Sequence, residues 1–533
     1  MKKILITIIT LALLTNTWAQ TIQPAQQTIG NLNISVDPRI ELLSTIQILS
    51  NYQVINRESD YSKEIQAYFN KFSTLDAVTF TDQLTNFAYD APAGFILYFS
   101  QPPDLKQLLP YSDYLVKRAG GKENLDHYRK SIEQFAKKSD FEKFWNSKLD
   151  FYNNMLELTA EEAKDADPVK IIEDYFNEKR NSYNIIIAPL FNGHNYGTRL
   201  PAVNNKFDIY SCITPFRSKD GIPYISKESV ISTVCHEFSH SFVNPETEKY
   251  ADRIESFSQL LEPIKNEMAR IAYSNWSICV NEHIIRAIGV RIEEIYKNQA
   301  KSQALMNQEK SKRFIYIEPL VEKLKEYEKQ RDTKHITFSE FVPRLLDVFD
   351  SISKTDYSKL SEPGFLGPIK YVRNKQKAAW IYPTNDKDTA SLKIAVDHVT
   401  EMYNRFEKDG GTLIPDTVAL NMDLSDYGLM VYGTIESNLF LSKYKDSFPF
   451  KIKDNVIIAD KEYNKKDTKL ISCLPNPQNP RKGMSVYTAL DNKYINDINN
   501  VYHGPQDYVV FLSRKNVLSE GYYYKTGDWK FIK

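Results

Sequence analysis

The sequence predicts an α+β protein made of a helical N-terminal region, a core of mixed strands and helices, and a C-terminal α/β domain of Rossmann-like type. Three patterns predict this class. Apolar residues recur at helical spacing from Ile40 to about Arg180, strand-like runs begin at Tyr183, and strand and helix patterns alternate from Ala378 onward. A chain of 533 residues is also long enough for several domains, each with its own core.

The composition is that of a globular protein, with 42% hydrophobic and 26% charged residues. Lysine and arginine together number 68, and so do aspartate and glutamate. This balance gives no basic excess of the kind that nucleic-acid binding requires, so we expect no nucleic-acid partner.

Residues 1–19 have the layout of a secretory signal peptide. Lys2 and Lys3 precede the apolar run Ile4–Leu14, and Thr17 and Ala19 supply small residues at the −3 and −1 positions of a cleavage site. The apolar run is too short for a bilayer, which takes about 20 residues, and no later stretch reaches that length. We therefore expect an exported protein, periplasmic or secreted, without a membrane span.

The four cysteines have no metal-binding spacing, because none of them belongs to a CxxC motif. Export permits disulfides, and a chain of this size does not need them. Disulfides and buried thiols both remain open for the four positions, Cys212, Cys235, Cys279 and Cys473.

The N-terminal region, residues 28–180, is predicted from its helical periodicity. A short strand, LNISV, ends at Asp37-Pro38. The segment that follows has its apolar residues on one helical face, namely Ile40, Leu43, Ile46 and Leu49. Amphipathic helices continue from there, with breaks at proline and glycine pairs.

The core, residues 181–355, begins with a change of period. Two strands are predicted over Tyr183–Phe191 and Lys206–Phe216, with a turn-rich segment, NGHNYGTRLP, between them. Helices are predicted over Lys227–Val243 and Lys249–Gln299, and helical character continues to about Lys354.

The C-terminal domain, residues 371–533, alternates strands with helices. Five runs are typical of strands, namely AAWIYP, GLMVYG, KLISCLP, GMSVYTAL and DYVVFL. The helical segments between them are SLKIAVDHVTEMYNRFEK and DNKYINDINNVY. This alternation predicts a Rossmann-like sheet, but no GxGxxG or Walker A motif supports nucleotide binding.

The chemistry centres on ISTVCHEFSHSFVNP, which contains His236-Glu237-x-x-His240. Two histidines four residues apart share one face of a helix, so both imidazoles can reach one Zn²⁺ at about 2.0–2.1 Å. Glu237 lies on the adjoining face, where it can take a proton from water on the metal. Uncharged residues surround the motif, and Pro245 is expected to end the helix. A pair of core histidines without a metal is the plainer alternative, but their nitrogens would need other partners.

This segment resembles the active-site helix of the zincin metallopeptidases, with Thr233 and Phe242 in the outer positions of the zincin pattern. Zincins differ in their third zinc ligand. The metzincin form needs Gly and His where this chain has Val243 and Glu246, whereas the gluzincin form takes a Glu from a following helix, often within an Asn-Glu dipeptide. The resemblance therefore implies a gluzincin-like site with one Zn²⁺ per chain.

Glu282, in the dipeptide Asn281-Glu282, is the third ligand that the resemblance implies. Successive residues of a helix are rotated by about 100°. This rotation places Glu282 on one inward-facing stripe of its helix with Ile278, Ile285 and Ile292. Gly289 lies on the same stripe and would allow close approach.

Two alternatives to this role stay open. A buried carboxylate needs a partner, and the alternative to a metal is an i,i+4 pair of Glu282 with Arg286, which is worth only tenths of a kcal/mol if exposed. Three other carboxylates, Glu248, Asp252 and Glu255, lie nearer to His240 along the chain.

Zincins hold peptide substrates on an edge strand, and DIYSCITPF precedes the motif helix in the position expected of that strand. Zincins also use a Tyr or His to stabilise the oxyanion of the tetrahedral intermediate. The candidates for this role are His194, Tyr196, His283 and Tyr250.

The segment DPRIELLSTIQILS and the zincin-like core together also resemble a secreted bacterial family known mainly as a domain of unknown function. This resemblance covers about residues 35 to 350. It implies a zincin-like fold and brings no substrate.

The sequence thus predicts a secreted zinc metallopeptidase that hydrolyses peptide or protein substrates through a zinc-bound water activated by Glu237. One alternative is a non-catalytic periplasmic or surface binding protein with a structural metal site, and another is a zinc hydrolase of a non-peptide amide. The His-Glu pair favours catalysis, because a structural metal site has no use for the carboxylate between its ligands. The substrate and the oligomeric state stay open at this point.

Overall fold

The computed structural model describes residues 22–52, 55, 58–203, 206–271, 273–296, 299–355, 364–372, 377–407, 410–501, 503, 506–524 and 529–531. Of the described residues, 51% are helical and 20% lie in strands, which form several sheets, and this confirms the α+β class. The predicted signal peptide, residues 1–19, lies outside the described residues.

The chain forms two compact units. One contains the residues up to Asp174 together with Glu178–Ser241, and the other contains Tyr175–Asn177 together with Phe242–Lys533. The three regions predicted from the sequence patterns stay a prediction.

The first unit contains a five-stranded mixed sheet in the order β1-β2-β3-β5-β4. Its strands are β1 (Ala25–Ile29), β2 (Leu32–Val36), β3 (Ser182–Ile187), β4 (Tyr196–Pro201) and β5 (Phe207–Ile213). Strands β2, β3 and β5 run parallel, whereas β1 and β4 pair antiparallel at the two ends. A small hairpin, β6 (Arg217–Lys219) and β7 (Ile222–Tyr224), follows β5.

Helices fill the chain between β2 and β3, as the periodicity predicts. They are α1 (Pro38–Leu49), α2 (Asp60–Phe69), α3 (Asp76–Gln83), α4 (Asp90–Ile96), α5 (Asp113–Ala119), α6 (Lys122–Lys138), α7 (Phe141–Ser147), α8 (Leu149–Lys164) and α9 (Pro168–Phe176). Helix α1 begins with a favourable N-terminal sequence. Asp37 caps the helix by accepting a hydrogen bond from Arg39 N at 2.9 Å, and Pro38 occupies the first helical position. Helix α8 packs against β1 and β2.

The segment after β7 is helical. It contains α10 (Lys227–Ser229), a π-helical turn (Val230–Val234), α11 (Cys235–Glu248), α12 (Ala251–Glu255), a 3-10 segment (Ser258–Ile264), α13 (Lys265–Arg270), α14 (Trp276–Tyr296), α15 (Gln299–Ser311), α16 (Ile317–Lys334) and α17 (Phe338–Ser353). The single helical stretch predicted over Lys249–Gln299 is therefore wrong, because the chain breaks at the 3-10 segment that contains Pro263 and again before Trp276.

The C-terminal part of the second unit contains a seven-stranded sheet in the order β17-β16-β14-β15-β10-β8-β9. Its strands are β8 (Ala378–Tyr382), β9 (Thr412–Pro415), β10 (Gly428–Tyr432), β14 (Lys469–Asn476), β15 (Asn479–Ala489), β16 (Tyr508–Ser513) and β17 (Asn516–Gly521). The shorter strands are β11 (Lys451–Lys453), β12 (Val456–Ile458), β13 (Glu462–Tyr463), β18 (Tyr523–Tyr524) and β19 (Lys530–Phe531), and the helices are α18 (Thr389–Phe406), α19 (Asp416–Ala419), α20 (Leu439–Tyr444) and a 3-10 segment (Asn492–Asn500).

Each of the five predicted C-terminal strands is present, and the sheet is mixed. Strands β9, β8, β10 and β15 run parallel, as an α/β alternation predicts, whereas β14, β16 and β17 join by antiparallel pairing. Apolar side chains cover both faces, since Leu429 and Val431 of β10 belong to one buried cluster and Met430 and Tyr432 to another.

The predictions for a membrane span and for the cysteines can both be compared with the structure. Among the described residues, we find no helix with both the length and the apolar character that crossing a membrane demands. All four cysteines lie in described parts of the chain, each is buried, and none forms a disulfide.

Candidate metal centre

The motif helix, α11, presents its two histidines side by side. The rings of His236 and His240 lie one turn apart, with centroids separated by 5.1 Å and planes at 84°. Both side chains are half-buried, whereas Phe238 is fully buried and packs against Tyr183 of β3 at 5.6 Å between ring centroids. The apolar side of the helix is therefore held on the sheet, and the histidines keep access to solvent.

Pro245 does not end this helix, contrary to the sequence prediction. The helix continues to Glu248 with Pro245 inside it. A proline cannot donate to the carbonyl four residues earlier, which is that of Ser241. Arg180 supplies the missing donor, because its Nη2 lies 3.1 Å from Ser241 O.

The second helix of the centre, α14, carries Glu282 with 4% of its surface exposed. Ile285 and Ile292 are buried on the same stripe, as predicted, but Ile278 is exposed. The expectation for Gly289 is also wrong, since among the described residues no atom outside its own helix lies within 4 Å of the position that a Cβ would occupy there.

The metal-binding atoms of His236, His240 and Glu282 all lie within 4.8 Å of one another. Near this group, Thr247 of α11 donates a hydrogen bond to Asn281 of α14 at 2.6 Å, which ties the two helices together one residue before Glu282. The group consists of two half-buried histidines and a buried glutamate and can hold a metal ion. The three alternative carboxylates, Glu248, Asp252 and Glu255, are all exposed and lie outside it.

The carboxylate of Glu237 lies beside the same histidines. Its Oε2 is 3.9 Å from His240 Nε2, and 8% of the residue is exposed. The three-residue group therefore has a second, largely buried carboxylate beside it.

Arg286 pairs with Glu282, so the ion pair considered from the sequence is present together with the three-residue group. Arg286 Nη2 lies 3.1 Å from Glu282 Oε2, and Nη1 lies 2.8 Å from Glu309 Oε2. The guanidinium also lies over the ring of Phe314 at 4.3 Å. A carboxylate has two oxygens, so one can bind the guanidinium while the other faces a cation.

Glu309 completes a buried charge cluster in the second unit. Burial alone would raise the pKa of Glu309, but the positive charges of Arg286 and Lys312 lower it below its ordinary value. Glu309 therefore stays ionised and fixes the far side of the Arg286 guanidinium. Glu309 was not predicted from the sequence, because nothing in its local pattern distinguishes it from other helical glutamates.

The strand beside the motif helix is β4 and not the predicted one. The segment DIYSCITPF forms β5, which lies between β3 and β4 in the interior of the sheet, so its prediction as the edge strand is wrong. The second half of the turn-rich segment before it forms β4, which ends the sheet. A Cβ on Gly197 of this strand would lie 2.3 Å from the carbonyl oxygen of Glu237, so only glycine allows the strand to pass the motif helix this closely.

Tyr196 precedes Gly197 on the edge strand. Its hydroxyl oxygen is buried and makes no hydrogen bond within the described part of the chain. Burial raises the pKa of Tyr196, and the nearby negative groups, which include Asp90 and Glu237, raise it further. The hydroxyl therefore stays protonated and remains a donor close to Glu237.

The other candidates for oxyanion stabilisation lie in different surroundings. His194 is exposed in the segment before β4, with its ring parallel to that of Tyr196. His283 is fully buried, its Nδ1 lies 2.7 Å from Cys279 O, and Phe314 and Tyr316 pack against its ring. Burial lowers the pKa of His283 to about 4, so this residue is a neutral packing group without access to substrate. Tyr250 is half-buried at the start of α12.

The fold and the site define an α+β protein with a candidate metal centre of two histidines and one glutamate. A family model described as "Domain of unknown function (DUF4932)" matches residues 32–348, and the chain belongs to this family. The match includes the motif helix and Glu282. No curated protein and no solved structure matched the chain.

Proposed function

We propose that the protein is an exported zinc-dependent metallopeptidase with a zincin-like core. The observation that carries the proposal is the group of His236, His240 and Glu282, whose metal-binding atoms lie within 4.8 Å of one another. We also propose that the mixed sheet, with its antiparallel edge strand β4 beside the motif helix, corresponds to the sheet of a zincin.

The donor set fits zinc. Two imidazole nitrogens and one carboxylate oxygen are the ligands of zinc sites that keep a position open for water or substrate. Calcium and magnesium prefer sites made of oxygen ligands alone, whereas two of the three ligands in this group are nitrogens. The half-buried histidines leave a side of the group accessible, as an open coordination position requires.

Zinc bound there would act as a Lewis acid and would lower the pKa of a water molecule towards about 7. Glu237 accepts a proton from the attacking water and delivers it to the leaving amine. The hydroxyl of Tyr196 donates to the oxygen of the attacked carbonyl, where negative charge develops. The edge strand β4 holds the peptide main chain beside these groups.

The test is peptide cleavage by the full chain supplied with zinc. A broad pool of quenched fluorescent peptides serves as substrate for the wild type and for Glu237→Gln. The matched control is Glu248→Gln, which changes an exposed carboxylate at the end of the same helix. We expect Glu237→Gln to lose at least about a thousandfold in kcat/KM and Glu248→Gln to retain wild-type activity.

Two results would contradict the proposal. Cleavage that survives Glu237→Gln would remove the general base from the mechanism. A zinc-loaded wild type that cleaves no peptide in the pool would favour the non-catalytic binding protein.

A further inference from the structure

Tyr89, directly before α4, has a backbone conformation that side-chain-bearing residues seldom adopt. Its φ is 64° and its ψ is −116°. Strain of this kind is unfavourable and persists where the surrounding structure holds it in place.

Neighbouring side chains hold the segment before Tyr89 on several sides. Tyr52 accepts a hydrogen bond from Tyr89 N at 2.9 Å. Arg118 donates to the carbonyls of Asn86 and Ala88 at 2.8 Å and 2.6 Å. The strained residue is therefore fixed in one position.

The result is an exposed ring beside the start of β4. Tyr89 is 41% exposed, and its ring lies 5.8 Å from that of His194. Phe216, also exposed, packs against the glycine before His194, with its ring 3.5 Å from the position that a Cβ on Gly193 would occupy. We refer to the exposed rings of Tyr89, His194 and Phe216 as the aromatic wall.

The aromatic wall carries little charge. Partial burial of the imidazole lowers the pKa of His194, which favours its neutral form. The nearby carboxylate of Asp90 accepts a hydrogen bond from Tyr114 at 2.6 Å and lies 3.5 Å from Arg118. Such a surface suits an apolar side chain better than a charged one.

His194 of the aromatic wall lies a short distance along the chain from the point where β4 contacts Glu237. His194 is three residues before Gly197, which contacts the motif helix at Glu237, and an extended chain advances about 3.3 Å per residue. His194 therefore lies at most about 10 Å from Gly197, the residue that contacts the carbonyl of Glu237. We propose that the aromatic wall is a specificity subsite that binds an apolar, preferably aromatic, side chain two or three residues from the cleaved bond of a peptide held on β4. This inference rests on the proposed peptidase function.

The test compares peptides of one sequence in which single positions on both sides of the cleaved bond carry Ala or Phe. The variant is Tyr89→Gly, which removes the ring and relieves the backbone, because glycine adopts positive φ without strain. The control is Leu149→Ala, which changes an exposed apolar residue at the start of α8, the helix that packs against β1 at the opposite end of the sheet. Wild type is expected to prefer Phe over Ala about tenfold in kcat/KM at one position, two or three residues from the bond.

Tyr89→Gly should reduce that preference to about twofold by raising KM for the Phe peptide, whereas Leu149→Ala should keep the wild-type preference. An undiminished preference in Tyr89→Gly would overturn the inference and would leave the Glu237-dependent peptidase intact. Binding of the same labelled peptides to zinc-loaded Glu237→Gln, followed by fluorescence anisotropy, separates the two proposals. Phe-selective binding that Tyr89→Gly abolishes would support the subsite even if the wild type cleaves nothing, and unselective binding would overturn it.

Discussion

The carbonyl oxygen of Glu237 and the α-carbon of Gly197 face each other so closely that a methyl group on Gly197 would lie 2.3 Å from the oxygen. The edge strand therefore approaches the motif helix at the residue proposed as the general base. Any side chain at position 197 would push the strand away from the helix.

Gly197→Ala is accordingly expected to lower the free energy of unfolding by about 1–3 kcal/mol and to reduce peptide cleavage, because backbone must move to admit the methyl group. Urea unfolding of the two proteins measures the first effect. Gly289→Ala is the matched control, since its methyl group would meet no atom of the described structure outside its own helix. A helical Gly→Ala change of this kind stabilises by about 0.5–1 kcal/mol. A Gly197→Ala protein as stable and active as wild type would contradict the close approach.

Tyr196→Phe separates stability from activity. Its hydroxyl is buried and unpartnered within the described structure, so removing it should leave the unfolding free energy unchanged or slightly raised. If the hydroxyl donates to the developing oxyanion, kcat falls about 10²–10³-fold while zinc content stays the same. Unchanged kcat would remove Tyr196 from the mechanism.

Arg286 lies between two buried carboxylates, Glu282 and Glu309. Arg286→Ala would leave both carboxylates without this partner, and we expect a loss of about 3–5 kcal/mol in unfolding free energy. Arg286→Lys keeps the charge and loses the forked geometry, so it should fold and bind zinc more weakly than wild type. Equal zinc affinity in folded Arg286→Lys would show that the guanidinium does not position Glu282.

Glu41 of α1 predicts a pH dependence of stability. The residue is 1% exposed, accepts a hydrogen bond from Tyr61 at 2.6 Å, and has its pKa raised by burial from 4.5 to about 8. Because the folded-state pKa exceeds the unfolded one, protonated Glu41 contributes its full stabilisation of the fold below about pH 4.5. This contribution is lost as pH rises through about 8, by up to about 1.4 kcal/mol per pH unit. Urea unfolding from pH 5 to 8 should show this decline in wild type and a flatter profile in Glu41→Gln. The same slope in both proteins would contradict it, and the exposed Glu123→Gln serves as control.

The sequence predicted those parts of the fold that depend on local pattern. Short runs rich in apolar, β-branched and aromatic residues identified β2, β3 and β5 and the main C-terminal strands, because such runs bounded by turn residues are typical of buried strands. Strand β4 was missed, since Asn, Gly and Pro in its segment are typical of turns. Its extended conformation comes from pairing with β5 and from packing against Glu237, and neither can be read from ten residues.

In the candidate site, too, the correct predictions are those that depend on local sequence. The spacing of His236 and His240 is a local property of one helix, so the sequence alone placed both rings on one face. Periodicity also gave the angular position of Ile278 and Gly289, but it does not say which neighbours cover a face, and both expectations failed. Glu282 depended on a resemblance, because a ligand on a separate helix leaves no signal in the motif itself.

The central claim is that His236, His240 and Glu282 together hold one metal ion, and the metal content of the purified full chain tests it most directly. We predict about one zinc per chain in wild type and in Glu237→Gln, and markedly less in Glu282→Ala and in the milder Glu282→Gln. Circular dichroism of each variant checks that the loss does not come from unfolding. A folded wild type that holds no zinc after reconstitution, or a folded Glu282→Gln that holds zinc as tightly as wild type, would contradict the account.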